Sequence, residues 1–133
     1  MNTPAYQELT IERFESGDID ADTFDHLAHV YVGWLYIRKY ELSEAITRFN
    51  AALKRLVAKL GAENKYHTTL TWFFLLLIAE RATPNESWQD FERCNDDLIG
   101  NSKELLSRYY SDGNLFSDRA RGQFVLPDQF ARS

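Results

Sequence analysis

The sequence predicts an all-α fold, a single-domain up-down helical bundle with three long central helices and short C-terminal ones. Three observations carry this expectation. Apolar residues recur at helical spacing, Gly and Pro stand where helices should stop, and no two segments alternate with period two as the strands of a hairpin would. The 133 residues are one domain's worth, long enough to bury a core without a metal or a crosslink. Nothing repeats at a fixed period and no linker divides the chain, so residues 1–133 read as one helical domain.

The elements follow in order. Leu9 to Ser16 reads as a short helix ended by Gly17-Asp18. The second helix spans Phe24 to Tyr40, with Asp22 or Thr23 as its N-cap. No charge interrupts it between His26 and Ile37, so it is apolar on nearly every side and belongs at the centre. In the third helix, capped by Ser43, Leu42, Ile46, Phe49, Leu53, Leu56 and Leu60 line one face. Charges fill the other face, and Gly61 stands at the left-handed stop. A loop over residues 62–65 leads to the fourth helix, Tyr66 to Ala82, again apolar all round and ended by Thr83-Pro84. Ser87 to Cys94, presenting Trp88 and Phe91, Lys103 to Tyr110, and Ser117 to Gly122 read as shorter helices. The apolar tail Phe124 to Pro127 should lie extended across the bundle.

Composition narrows the function classes. Fifteen Lys and Arg against 20 Asp and Glu leave a net charge of −5, a poor start for releasing counterions from phosphates or anionic lipid, so neither nucleic acid nor a membrane is an expected partner. The longest apolar run, Trp72 to Ala79, is far short of the ~20 residues a span needs. The N-terminus has no basic, apolar leader pattern, and the one cysteine, Cys94, forms no internal disulfide; a cytoplasmic location follows as the expectation. Phosphate-binding glycine loops and the G-x-S-x-G nucleophile pattern are missing. Cys94 reads as a half-buried packing residue, and Arg48, Arg55 and Lys59 as a solvated helix face. Arg119 and Arg121 would meet an anion only if the tail folds over the right end of the bundle.

That end is set by the histidines. Short connections make the long helices antiparallel neighbours, so the starts of helices two and four meet. His26 and His29, three residues apart on one helix face, and His67, at the start of helix four, then gather at one end, with His26 and His67 within contact or one-water distance. Gly33, one turn below His29, leaves either space for a ligand or room for close backbone packing. Three chemistries are open here. Tyr66, Thr71 and Tyr31 with the three histidines form a polar pocket for a small polar or anionic ligand, a neutral imidazole serving as general base if a reaction occurs. Two helix N-termini, with Lys59 and Lys65 nearby, favour an anion. Alternatively His26, His29 and His67 bind a divalent metal such as Zn, with Asp25 or Glu63 adding a carboxylate, as a hydrolase or transferase would need. Or the histidines cap and staple helices in a non-enzymatic interaction protein, monomer or homodimer.

The segments Phe24-Asp25-His26-Leu27-Ala28-His29-Val30, Tyr66-His67-Thr68-Thr69-Leu70-Thr71, Tyr109-Tyr110 and Phe124-Val125-Leu126-Pro127-Asp128 together resemble a family of short, uncharacterised bacterial helical proteins. That resemblance spans most of the chain and implies no reaction. In architecture alone the chain is also similar to DinB-like three-histidine metal bundles, from which the order and spacing of its histidines depart.

Overall fold

A computed structural model describes residues 4–129. Helices form throughout, with no strand among the described residues. In chain order they are α1 (Ile11–Ser16), α2 (His26–Lys39), α3 (Leu42–Lys59), α4 (Thr68–Arg81), α5 (Trp88–Cys94), α6 (Asp96–Ile99), α7 (Ser102–Ser107), α8 (Asp112–Leu115) and α9 (Asp118–Gly122). Short 3-10 turns precede α1 and α4. No described helix is long and apolar enough to cross a membrane.

Helix ends follow local chemistry. Thr10, Asp25, Ser87, Ser111 and Ser117 each accept a backbone N–H of the first turn that would otherwise lack a partner. Gly17 and Gly61 take positive φ, 77° and 69°, at the ends of α1 and α3, where a side chain would be strained. Several boundaries correct the sequence expectation. α2 starts at His26, because residues 20–24 close a turn in which Thr23 and Phe24 donate to the Asp20 carbonyl, leaving Asp25 as the cap. Ser43 already lies inside α3, whose cap position is Glu41. The 3-10 turn Glu63–Lys65 delays α4 to Thr68 and makes His67 its N-cap. α6 and α8, four residues each, have no apolar period long enough to be read in advance.

The all-round apolarity of α2 and α4 is explained by their place between two core clusters. Towards α1 and α3, Ala28, Val32, Tyr36 and Leu75 pack with Phe14, Ile46, Phe49 and Leu56. Towards the C-terminal helices, Val30, Trp34, Phe73, Phe74 and Leu77 pack with Trp88, Phe91, Leu98, Leu105 and Leu115. α2 packs most extensively on α4, and Gly33 permits it: a Cβ there would stand 3.1 Å from Ile78 Cδ1 and 3.2 Å from Leu75 Cδ2. Gly33 therefore serves close packing. The starts of α2 and α4 lie together, with the His26 ring edge-on to Phe74, while beyond their far ends Arg38 donates to the Glu86 carbonyl. α3 runs against them: Tyr40, closing α2, sits under Arg48 in the first turns of α3.

The C-terminal helices are tied on by a few buried polar groups. The Thr69 hydroxyl, fully buried, shares its proton between the carbonyls of Ala120 and Gln123 at 2.7 and 2.9 Å and accepts the Val125 N–H. Tyr110 donates to the Val125 carbonyl, and Phe124 stacks on Trp72, so the tail does lie extended across α4. Arg81 grips Asp97 with two parallel bonds of 2.7 and 2.9 Å, holding that carboxyl below the usual carboxylate range. Thr69→Val keeps the shape and removes the hydroxyl, stranding the Val125 N–H; we expect it to cost about 1–3 kcal/mol in urea unfolding. A cost below a few tenths would show that the tail is not fastened there.

Candidate functional site

α2, α3 and the start of α4 enclose a cavity of about 420 Å³. All three histidines line it, together with Tyr66 and Thr71, so five of the six candidate site residues share one space. Tyr31 does not. Two residues beyond His29 is about 200° around a helix, which turns Tyr31 to the opposite side. There it packs against Tyr6 and Trp88 and borders a separate open groove with Leu9, Glu12, Arg38 and Lys39. Cys94 is also away from the cavity and, contrary to expectation, exposed. α5 ends at Cys94, and it is the next residue, Asn95, that is buried, donating to the Phe91 carbonyl.

Each polar group in the cavity has a distinct state. His67 Nδ1 accepts the Leu70 N–H at 3.1 Å, so its proton sits on Nε2, which donates to the Leu115 carbonyl at 2.7 Å. Both nitrogens are used and the ring is held neutral: burial lowers its pKa, and Arg121 lowers it further. His26 directs Nε2 to the Leu98 carbonyl at 3.0 Å. Thr71 donates to the His67 carbonyl, and Tyr66 donates to Asn50 Oδ1. Both hydroxyls therefore spend their protons inside the protein. No hydrogen bond joins His26 to His67, although both face the same space.

His29 differs. Its ring lies between Phe24 and Phe49, nearly parallel to both, with centroids 5.5 and 5.2 Å away. Its Nε2 is sealed from solvent and has no hydrogen-bond partner, alone in this respect among the described buried side chains. Burial, with a smaller contribution from His26, pushes its pKa down to about 4, so it is neutral at physiological pH. An unsatisfied buried nitrogen costs about 1–3 kcal/mol, which makes this atom the site's chemically significant feature.

The metal expectation meets an unsuitable donor set. No group of three His, Cys, Asp or Glu side chains among the described residues is placed to hold an ion. His67 has no lone pair to give, and Asp25 is occupied capping α2. The walls are also more apolar than the sequence suggested, since Phe24, Leu53, Val57, Leu60, Leu70 and Phe74, with Ala21 and Ala62, make up eight of the fourteen lining residues. Leu53 and Leu60 belong to the visible apolar ladder of α3; nothing in that ladder marks which rungs meet an empty space rather than a neighbour.

The basic residues divide as well. Arg48 pairs with Glu44, Lys59 donates to the Gly17 carbonyl and Arg55 is exposed, so the α3 stripe is a solvated face. Arg121 does fold to the histidine end, donating to the Asn64 carbonyl at 3.0 Å. The chain matches no protein-family model, no curated protein and no solved structure.

Proposed function

We propose that this protein is a small-molecule-binding module whose ligand occupies the cavity at the start of α2 and α4. The observation that carries this reading is a cavity of about 420 Å³, a size in the range of small-molecule sites, with His29 in its lining and the Nε2 of that buried ring left without a partner. The ligand is largely apolar, matching the walls, and presents one group that hydrogen-bonds to His29. The imidazole is neutral and so either gives or accepts that bond, according to its tautomer. As a general base it is poorly suited to neutral pH, because so low a pKa leaves little affinity for a proton. Binding and orientation are the roles this chemistry supports. A cytoplasmic setting fits the exposed free thiol of Cys94.

A second reading has its own support. His26 and His67 act as tie points for the C-terminal helices, while Phe116 and Leu126 remain 60% and 76% exposed, as an interaction protein with structural histidines would leave them. Indole separates the two, being a flat apolar molecule with one N–H donor. In backbone amide NMR spectra we expect indole to shift the resonances of residues 62–71, and Ala62→Trp, which fills the rim, to abolish those shifts. Spectra unmoved by millimolar indole would reject the pocket reading.

A further inference from the structure

Resting on the pocket reading, we propose that the molecule bound there is an apolar carboxylate whose charged end meets Lys65 at the mouth while its body runs inward toward His29. Lys65 is the single charged side chain on the lining, and no carboxylate faces the cavity. It is exposed at the rim and takes part in none of the ion pairs among the described residues.

Two further cations stand over the same loop. Arg121 is bonded to the Asn64 carbonyl, and the Lys54 ammonium lies 5.2 Å from the centre of the Tyr66 ring. Glu63 is the acid of this loop and lies outside the lining. In a chain of net charge −5, a cavity whose only lining charge is positive selects against amines and favours acids. The inner end demands the opposite character: the aromatic rings around His29 exclude a hydrated ion, so a charged group at that depth would lose its solvation without a counter-charge. Apolar body inward and carboxylate outward is the orientation that satisfies both ends.

Indole-3-propionate, indole-3-propionamide and tryptamine place an acid, a neutral amide and an amine on one apolar body. Titrated into the intact chain and followed by amide NMR, the acid should bind about fivefold more tightly than the amide, the scale of one partly exposed charge pair, and tryptamine most weakly. Lys65→Met, a change at the surface, should erase the acid's advantage and leave the amide's affinity unaltered. Equal binding of acid and amide, a preference for tryptamine, or an acid preference that survives Lys65→Met would each overturn the carboxylate assignment while leaving the pocket intact. Failure of all three probes, with indole also inert, would overturn the pocket itself.

Discussion

Phe49→Ala should destabilise the protein by about 3–5 kcal/mol, read as a lowered urea midpoint. Phe49 is fully buried where three elements meet. It stacks on Phe14 of α1 at 5.0 Å, meets Tyr36 of α2 edge-on at 5.3 Å, and forms one side of the sandwich around His29. Truncation therefore removes transfer energy and opens a void between helices that have little freedom to collapse, since α2 is already held against α4 at Gly33. The same change unroofs His29, so its pKa should climb back toward the ordinary 6.5. A loss under about 1 kcal/mol would mean that α1 and α3 are not joined through this ring.

Acid should act mainly through His29. In the unfolded chain its imidazole takes up a proton near pH 6.5, whereas in the folded protein it does so only near pH 4. Between those values the unfolded state binds more protons, so stability is complete above about pH 6.5 and declines as pH falls. The loss reaches roughly 3 kcal/mol once pH has passed about 4. His67, whose pKa is also lowered, pushes in the same direction, because a proton on Nδ1 would end its acceptance of the Leu70 N–H. His29→Phe keeps a ring between Phe24 and Phe49 and removes the titrating group. The urea midpoint of that variant should fall distinctly less between pH 7 and 4.5 than that of the native chain, while Asp97 and Asp128, common to both, cancel from the comparison. Identical falls in the two proteins would show that His29 is hydrated.

Period and punctuation made the long helices legible. The four-and-three ladder of α3 and the stop at Gly61 give that helix nearly to the residue, and the lack of charge between His26 and Ile37 marks α2 as central. From these alone, the gathering of three histidines at one end was readable. Their chemistry was not. Whether an imidazole is spent depends on which carbonyls the C-terminal segment brings: Leu98 belongs to the short α6, and Leu115 ends α8. Helices of four residues carry no period, so the partners of His26 and His67 stayed invisible, and with them the fact that only His29 is left unsatisfied. The apolar cavity walls were hidden for a related reason. Leu53 and Val57 look like any core residues until it is known that they line the same cavity as His29. Tyr31 is the reverse case: its hydroxyl is close in sequence to His29, yet two further residues of helix turn it to the opposite side.

Both the stability and the binding proposals turn on His29 being a buried, neutral imidazole whose Nε2 has no partner within the protein. A long-range ¹H–¹⁵N correlation spectrum of the three imidazoles, followed from neutral pH down to about 4 with and without indole, measures this directly. We expect His67 as the Nε2–H tautomer, His29 still neutral well below pH 6, and a shift of the His29 Nε2 resonance when indole is added. A His29 that titrates near 6.5 and ignores indole would contradict both proposals.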